Sequence, residues 1–328
     1  MKTLNWAILG TGTIANEMAA SMQKHGRPAY AVGNRTYEKA KAFGQKYGIL
    51  KVYADFQEMF IDPEVDIIYI ATPHNKHFEF MKQALENGKH ILVEKSITLN
   101  SAELDETMAL AKEKGLVMAE AMTIYHMPLY KKLREILDAG TLGKVNLLTM
   151  NFGSFKEYDE NNRFFNRNLA GGAMLDIGVY ALSFVRWFLD SKPDQLLSQV
   201  RTASTGVDEQ SGLLLTNQEG QMATVMLSLH SKQPKRGMIS CERGYIEIME
   251  YPRAGEAKVT YTDTGKTEII EAGDNADALY ATKCIPSLEH AIISGDVSAM
   301  QLGFSKDVMD LMTAFRKEWG VSYPEEER

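Results

Sequence analysis

The first part of the chain alternates short apolar runs with stretches whose apolar residues recur at helical spacing. Leu4–Leu9 is an apolar run that ends at a glycine, as buried parallel strands often do, and Thr13–Lys24 follows with the periodicity of a helix. The predicted strands are Leu4–Leu9, Ala29–Gly33, Ile49–Tyr53, Asp66–Ala71, His90–Val93 and Leu116–Ala119, and the predicted helices are Thr13–Lys24, Thr36–Tyr47, Lys76–Asn87 and Ser101–Gly115. This alternation predicts a doubly wound parallel sheet that binds its ligand at the carboxyl ends of its strands.

After residue 122 the pattern changes to runs in which apolar and polar residues alternate. Period-two runs of this kind predict strands of an antiparallel sheet. The predicted strands are Lys144–Phe155, Leu196–Ala203, Gly212–Thr216, Met222–His230, Gly237–Cys241, Tyr245–Met249 and Lys258–Thr262. A helix is predicted at Pro128–Ala139, and three more, expected to cover one face of the sheet, are predicted at Met174–Leu189, Ala276–Ser294 and Met300–Trp319.

The predicted fold class is α/β, with an N-terminal Rossmann sheet and a C-terminal α+β domain built on a large, open, mostly antiparallel sheet. A chain of 328 residues exceeds what one hydrophobic core usually serves. We therefore expect a dinucleotide-binding domain over residues 1–122 and a substrate-binding and oligomerisation domain over residues 123–328. The uncovered face of the open sheet predicts a homodimer.

Composition and charge narrow the classes of function. The net charge of −7 opposes general binding to nucleic acid or to anionic lipid, so neither is an expected partner. The first residues read as a strand of the fold rather than a signal peptide, and no window is predicted to span a bilayer. Cys241 and Cys284 are far apart without metal-ligand spacing, which favours reduced thiols and a cytoplasmic location.

The first candidate site is the run Gly10-Thr11-Gly12-Thr13-Ile14-Ala15 between the first strand and the first helix. Gly10 allows a tight turn, Gly12 allows the backbone to approach a pyrophosphate, and Ala15 is small enough for helix packing. The free amides at the start of the helix then face the anion. A turn that merely needs small residues is the alternative, but the position of the run favours dinucleotide binding.

The end of the second predicted strand bears on the choice of cofactor. NAD-binding domains usually place an acid there for the ribose hydroxyl, whereas this chain has Asn34 and Arg35. A guanidinium can pair bidentately with a 2′-phosphate, so the sequence favours NADP, with NAD as the second choice. Alternatively, Arg35 stacks on adenine or lies in solvent.

Two further groups of residues can carry chemistry. Glu94 and Lys95 follow the fifth strand, where an ammonium could donate to a substrate oxygen and Glu94 could hold the lysine or the ribose. Asp176 and Tyr180 are four residues apart, so a helix presents them on one face. The alternatives are a solvated Glu–Lys ion pair, a first-turn acid and a half-buried core tyrosine.

Taken together, these motifs resemble the glucose-fructose oxidoreductase/inositol dehydrogenase (Gfo/Idh/MocA) family along nearly the whole chain. The similar runs are the glycine turn, Ala71-Thr72-Pro73-His74-Asn75-Lys76-His77, the stretch from Ala84 to Lys95, and Gly171 to Tyr180. Inositol dehydrogenases tend to carry histidine where this chain has Tyr180. The sequence is therefore most similar to the branch of dimeric dihydrodiol dehydrogenase, xylose dehydrogenase and glucose-fructose oxidoreductase.

The resemblance implies a role for each matching residue. Lys95 would be the catalytic lysine, Tyr180 the proton donor or acceptor, and Asp176 a carboxylate that orients the substrate. A phenol, with a pKa of about 10, exchanges protons more readily once a nearby cation lowers that pKa. The cofactor contacts that we expect are Gly10, Thr11, Gly12, Thr13, Ile14, Asn34, Arg35, Thr72, Pro73, His74, His77, Glu94 and Lys95. No metal is expected, because no acid or cysteine completes a ligand set with His74 and His77.

The sequence departs from the family pattern in two places. Ser96 replaces the usual proline after Lys95, which removes a restraint on φ. Tyr125-His126-Met127 stands where this branch often has an arginine-aromatic pair, so contacts with the substrate cannot be transferred there. Residues Arg163, Phe164, Phe165 and Asn168 are candidates for a substrate loop, with an ordinary surface loop as the alternative.

The leading hypothesis is an NADP-dependent dehydrogenase or reductase acting on a sugar, a polyol or a related vicinal diol or carbonyl compound. A hydroxylated ring or inositol is the alternative substrate. A non-catalytic regulator that senses a dinucleotide or a sugar is the alternative of another class. Such a regulator has no need of Lys95 together with Asp176 and Tyr180, so their joint presence favours an enzyme.

Overall fold

The computed structural model describes residues 3–273 and 285–327. Within these residues the chain forms two compact units. The first unit contains the chain up to Ala121 and a later segment that ends at Leu302. The second begins at Met122 and takes up the chain again from Gly303. The assignment of a cofactor function to one part of the chain and a substrate function to the other stays a prediction.

A parallel sheet forms the centre of the first unit, as predicted. In the described residues its strand order is β3-β2-β1-β4-β5-β6. The strands are β1 (Trp6–Leu9), β2 (Ala31–Gly33), β3 (Lys51–Tyr53), β4 (Ile67–Ile70), β5 (His90–Val93) and β6 (Met118–Glu120). The helices between them are α1 (Thr13–Lys24), α2 (Tyr37–Tyr47), α3 (Phe56–Ile61), α4 (His77–Glu86) and α5 (Ser101–Lys114). Strands β1 and β4 are buried along their whole length, which explains why their sequences are continuously apolar.

The local signals agree with the sequence at the start of α5 and at the ends of α2 and α5, whereas Thr36 precedes α2 without a side-chain cap hydrogen bond. The side chain of Asn100 accepts a hydrogen bond from the backbone nitrogen of Glu103 at 3.0 Å and so caps α5. Gly48 and Gly115 end α2 and α5 in the left-handed conformation. Helix α3 was not predicted, because six residues are too few to show a helical period, although Asp55 caps it through the nitrogen of Gln57.

The second unit is built on a mixed sheet with the order β14-β13-β12-β11-β7-β10-β9-β8. Its strands are β7 (Val145–Gly153), β8 (Gln195–Thr202), β9 (Asp208–Thr216), β10 (Met222–Ser228), β11 (Arg236–Cys241), β12 (Gly244–Met249), β13 (Glu256–Tyr261) and β14 (Thr267–Glu271). Strands β7 and β10 pair in parallel, and the other pairs are antiparallel. The edge strand β14 was not predicted.

Three helices of the second unit lie within the described residues: α6 (Pro128–Asp138), α7 (Val179–Phe188) and α9 (Leu302–Trp319). A turn of π-helix, Met174–Gly178, runs directly into α7. Helix α7 packs against β7 and β10. The predicted helix at Met174–Leu189 is thus present, with a widened first turn.

The prediction for the helix at Ala276–Ser294 needs a correction. Helix α8 (Ile285–Ser294) belongs to the first unit and not, as expected, to the second. The Glu289 carboxylate accepts hydrogen bonds from the indole of Trp6 at 2.9 Å and from the guanidinium of Arg27 at 2.6 and 2.8 Å. These partners are distant in sequence, which is why periodicity could not reveal them. Residues 276–284 of that prediction, with Cys284, lie outside the described residues.

The prediction that no window could span a bilayer also needs a correction. By length and composition alone, Arg167–Phe188 passes that test: it has 22 residues, and its apolar window of 18 residues has a mean hydropathy of 1.3. In the structure 78% of its apolar window is buried inside the protein. One such segment is weak evidence for a membrane span, because a core helix is equally apolar.

Candidate active site

The glycine turn after β1 has the backbone geometry that was predicted for it. Gly10 has a φ of +115°, and a Cβ atom there would overlap the carbonyl oxygen of Ala71 at the end of the neighbouring strand β4. Gly12 has ordinary dihedral angles, and a Cβ atom there would meet nothing within 4 Å. Ala15 is fully buried. Thus only glycine fits position 10, whereas the protein itself would accept a side chain at position 12.

The start of α1 is suited to an anion. Gly12 caps the helix without a side-chain hydrogen bond, and the first turn contains no acidic residue. Thr11, Thr13 and Ile14 surround this helix end and are all partly or fully exposed. At the end of β4 the Thr72 hydroxyl oxygen is buried without a hydrogen-bond partner among the described atoms. Free helical amides and an unsatisfied hydroxyl fit a phosphate-bearing ligand.

Asn34 and Arg35 follow β2 directly. The Asn34 side chain donates to the carbonyl oxygen of Thr36 at 3.2 Å, a local turn contact. Arg35 is exposed, and within the described residues its guanidinium forms no ion pair with a carboxylate. Its charge is therefore available to a ligand at this edge of the sheet.

Lys95 lies in a loop after β5, and two histidines contact backbone carbonyl groups of this loop. The Lys95–Ser96 peptide bond is cis. The ring of His74 lies with Nε2 3.1 Å from the carbonyl oxygen of Lys95, and the ring of His77 lies with Nδ1 2.9 Å from that of Ser96. His77 also reaches the carbonyl oxygen of Thr72 at 3.0 Å. The loop that lacks the usual proline is therefore anchored by contacts from the start of α4.

These contacts give His74 and His77 a structural role, which is to hold the loop at Lys95 and Ser96. His77 is fully buried, and burial lowers its pKa, whereas the contacts of its ring with the carbonyl oxygens of Thr72 and Ser96 act in the opposite direction. No group of three or more potential metal ligands occurs in the part of the chain that the structure describes. Pro73 is exposed and immediately precedes the turn that carries His74. Contacts of these residues with a cofactor stay predictions.

Glu94 has a different environment from the one that its sequence position suggested. Its carboxylate is buried and accepts a hydrogen bond from the Tyr69 hydroxyl. Burial raises the pKa of Glu94 to about 7, against the smaller opposing effects of the Tyr69 hydrogen bond and the charge of Lys95. The side chain thus packs within the first unit, whereas Lys95 is half-buried.

In the second unit, the start of the helix that leads into α7 presents two polar side chains. Residues 171–185 are all buried except Asp176 and Tyr180, which are half-buried. The Asp176 carboxylate lies 3.4 Å from the guanidinium of Arg163, and the Tyr180 ring packs 6.2 Å from that of Phe152 on β7. The two residues therefore share the accessible side of the helix, as their spacing predicted.

The candidate substrate loop contains both buried and exposed residues. Phe165 is fully buried and packs on Tyr158 and His230, so it belongs to the core and not to a substrate surface. Phe164 is half-buried, and the guanidinium of Arg163 lies 4.2 Å from its ring centre. Asn168 is exposed. Arg163 is linked to the candidate catalytic residues through its contact with Asp176.

The Tyr125-His126-Met127 run, which departs from the family pattern, is buried. The Tyr125 hydroxyl donates to the Ser183 hydroxyl on α7 at 3.1 Å. His126 Nε2 has no hydrogen-bond partner among the described atoms, and burial lowers the pKa of His126 to about 4. An uncharged imidazole therefore lies in the middle of this buried run.

Sequence reasoning missed the residues that hold the start of the Tyr180 helix. Asp208 is completely buried, and its carboxylate accepts a hydrogen bond from the backbone nitrogen of Met174 at 2.6 Å. Burial raises the pKa of Asp208 to about 7. Tyr323 is also buried and donates to the carbonyl oxygen of Gly171 at 2.7 Å. No local motif marks either residue, because each acts across a long separation in sequence.

Two family models match the chain. Residues 4–122 match the oxidoreductase family with an NAD-binding Rossmann fold, and residues 130–247 match the Gfo/Idh/MocA C-terminal domain. The two matched ranges follow each other along the chain in the same order as the parallel sheet and the mixed sheet. The chain belongs to the Gfo/Idh/MocA family of oxidoreductases.

Individual relatives extend this result. The trans-1,2-dihydrobenzene-1,2-diol dehydrogenase of Mus musculus is 32% identical over 251 residues, which are 75% of this chain and 75% of that protein. The aldose-aldose oxidoreductase of Caulobacter crescentus superposes with a TM-score of 0.86 at 22% identity, covering 100% of this chain and 99% of that one. The 3-ketoreductase KijD10 of Actinomadura kijaniata, solved with NADP and TDP-benzene, superposes with a TM-score of 0.86 at 21% identity, covering 96% and 98%. At these identities the two solved structures establish the fold.

Proposed function

We propose that this protein is an NADP-linked dehydrogenase or reductase that acts on a sugar, a polyol or a vicinal diol, or on the matching carbonyl compound. The observation that carries the proposal is the exposure of Asp176 and Tyr180 as the accessible positions of an otherwise buried helix start. A buried segment that presents a carboxylate and a phenol is suited to binding a hydroxyl group and exchanging its proton. The names of the relatives support diol and sugar substrates.

The first unit would hold the cofactor. Gly10 and Gly12 would let the backbone approach the pyrophosphate, and the amides from Thr13 onwards would donate to it. Thr72, whose buried hydroxyl lacks a partner among the described atoms, would donate to the same ligand. When bound, a nicotinamide accepts or donates the hydride, and the protein supplies orientation and charge.

Proton transfer is assigned to the side chains of Lys95 and Tyr180. In the oxidative direction a carbinol carbon loses a hydride and its hydroxyl loses a proton, which the Tyr180 phenolate accepts. An ammonium stabilises a phenolate and so lowers the pKa of the phenol, and we assign this role to Lys95. Asp176 would accept a hydrogen bond from a second hydroxyl of the substrate. In the reductive direction the Tyr180 phenol returns the proton to the carbonyl oxygen.

The preference for NADP is tested at Arg35. We expect the purified protein to bind NADPH more tightly than NADH in a fluorescence titration. Arg35→Ala should weaken NADPH binding about 10-fold or more and leave NADH binding within a few-fold, since a guanidinium–phosphate pair is charge-assisted. Lys39→Ala removes an exposed cation from α2 and is the matched control. Tighter binding of NADH by the unmodified protein would contradict the assignment.

A non-catalytic sensor of the same fold is the second candidate. The buried carboxylate of Glu94, which accepts from Tyr69, fits a structural role that is compatible with a sensor as well as with an enzyme. A sensor, however, has no use for a phenol and a carboxylate on the accessible side of a buried helix. Catalysis is therefore the better explanation of Asp176 and Tyr180.

We also propose a homodimer formed through the second sheet. The strand registers place the exposed apolar side chains of this sheet on one common face: Leu147, Leu197, Met222, Met226, Tyr245, Met249 and Ile269. The opposite side chains of the same strands are mostly buried, as at Leu148, Val225 and Ile246. An apolar sheet face of this kind can bury itself against a second copy.

The dimer is tested by a charge on this face. Met226 is 50% exposed in the isolated chain. In a sedimentation experiment at micromolar concentration, the unmodified protein should be a dimer and Met226→Glu a monomer, because burying a carboxylate in an apolar interface is unfavourable. Leu50, which is 97% exposed in the first unit, supplies the control Leu50→Glu. A monomeric unmodified protein, or equal dissociation by both variants, would refute the proposed interface.

A further inference from the structure

The turn Gly171-Gly172, which precedes the Tyr180 helix, is tightly enclosed. A Cβ atom on Gly171 would lie 2.8 Å from the carbonyl oxygen of Phe164, and Gly172 has a φ of +121°. A Cβ atom on Gly172 would overlap the carboxylate of Asp208. Because the turn runs directly into the helix that presents Asp176 and Tyr180, a shift of the turn displaces both side chains.

A segment far along the chain, Val321–Glu327, holds this turn from one side. The hydroxyl of the fully buried Tyr323 donates to the carbonyl oxygen of Gly171 at 2.7 Å. The Tyr323 backbone nitrogen donates to the carboxylate of Glu326 at 2.9 Å. The same carboxylate forms a two-bond ion pair, at 2.8 and 2.9 Å, with the buried Arg316, whose guanidinium lies 4.7 Å from the Tyr323 ring centre. The backbone and the ring of Tyr323, which carries the hydroxyl that reaches Gly171, are thus held by the Arg316–Glu326 ion pair.

The same segment also binds the chain before the glycines. The Arg167 guanidinium donates to the carbonyl oxygen of Ser322 at 2.9 Å and to its hydroxyl at 3.2 Å. It also pairs with the carboxylate of Glu327. The segment Val321–Glu327 therefore contacts the chain at Arg167 and at Gly171, both of which precede the helix.

Asp208, at the start of β9, holds the helix from the other side. Its carboxylate accepts from the backbone nitrogen of Met174, one of the amides that a helix start leaves without an intrahelical partner. Asp208 is completely buried, and acidic side chains are rarely buried to this extent unless they are paired. Asp208 and Tyr323 thus reach the two ends of the short link between Gly171 and Met174.

We propose that Tyr323 and Asp208 are positioning residues for the reaction, which together fix where the helix presents Asp176 and Tyr180. Neither residue is assigned a contact with the substrate. Their effect is transmitted through the Gly171–Met174 link. The inference rests on the proposed function insofar as Tyr180 exchanges the proton.

Tyr323→Phe is the direct test, because it removes the hydroxyl and keeps the ring that packs on Arg316. We expect kcat to fall about 10-fold, since a displacement of about 1 Å at a reacting group can cost up to 10²-fold. The Kd for NADPH should be unchanged, because the glycine turn belongs to the other unit. Tyr53→Phe is the matched control: it removes a buried tyrosine hydroxyl that donates to Asp62 in the first unit, and should lower the melting temperature without lowering kcat.

A second pair of variants separates positioning from general stability. Asp208→Asn keeps an oxygen that can accept from Met174 and should retain kcat within about 3-fold, whereas Asp208→Ala should lose about 10-fold or more. Rescue by asparagine would not follow from a merely space-filling role. If Asp208→Ala does not fold, the comparison of kcat between Tyr323→Phe and Tyr53→Phe still tests the positioning role.

The outcomes distinguish this inference from the proposed function. If Tyr180→Phe is inactive while Tyr323→Phe has the kcat of the unmodified protein, the positioning role is wrong and the proposed function stands. The positioning role is also wrong if Tyr323→Phe loses activity only in proportion to its unfolded fraction. If Tyr180→Phe is fully active, the proposed function itself fails.

Discussion

Tyr180→Phe and Lys95→Met are each expected to lower kcat by about 10²- to 10⁴-fold, the range that general acid–base groups contribute. The physical reason is that the phenol exchanges the substrate proton and the ammonium stabilises the phenolate. Binding of the cofactor should change by no more than a few-fold, because the glycine turn that anchors the pyrophosphate is intact in both variants and Lys95 is one of many expected contacts. The measurement is steady-state turnover with NADP over aldoses, polyols and vicinal diols, together with fluorescence titration of NADPH.

The control for Tyr180→Phe is Tyr261→Phe, which removes a tyrosine hydroxyl on β13 that donates to Glu268 on the edge strand β14. Its kcat should equal that of the unmodified protein. Full activity of either Tyr180→Phe or Lys95→Met on the substrate that the protein turns over best would show that the assigned proton path is wrong.

Gly10→Ala and Gly12→Ala are expected to fail in different ways, although both remove a glycine from the same turn. Gly10 has a φ of +115°, and a Cβ atom would overlap the Ala71 carbonyl oxygen, so Gly10→Ala should destabilise the first unit by several kcal/mol. Gly12 has open space around its Cβ position, so Gly12→Ala should keep its melting temperature within a few degrees. It should nevertheless weaken NADPH binding about 10-fold or more, because the methyl group blocks the approach of the pyrophosphate.

Thermal melts and NADPH titrations of the two variants separate these effects. The prediction requires a lower melting temperature for Gly10→Ala and weaker binding at an unchanged melting temperature for Gly12→Ala. Unchanged NADPH affinity in a folded Gly12→Ala variant would remove the glycine turn from the cofactor site. Gly48→Ala, at the end of α2, also places a side chain at positive φ and controls for backbone strain alone.

The first sheet could be predicted from the sequence because each of its signals is local. A buried parallel strand is continuously apolar, a helix repeats its apolar positions, and the turn at Gly10 needs a glycine whatever surrounds it. The spacing of Asp176 and Tyr180 likewise placed them on one side of a helix, and the structure leaves both half-buried among buried neighbours. Belonging to the family followed from motifs in the right order.

The features that the sequence could not predict depend on contacts between distant residues. Helix α8 joins the first unit through Glu289, whose partners Trp6 and Arg27 lie near the other end of the chain. Asp208 and Tyr323 reach the Tyr180 helix from separate parts of the fold, and an isolated acid or tyrosine carries no signal of such a role. Phe165 could not be assigned to the core because a loop phenylalanine has no periodicity.

The most direct test of the central claim is hydride transfer by the unmodified protein. The measurement supplies a vicinal diol or an aldose deuterated at the reacting carbon, with NADP, and follows the label into the reduced nicotinamide. We predict that one deuterium appears on the nicotinamide for each carbonyl product formed, and that Tyr180→Phe forms neither. Tight NADPH binding with no turnover over the whole panel of sugars, polyols and diols would contradict the proposed enzymatic function and favour a non-catalytic sensor.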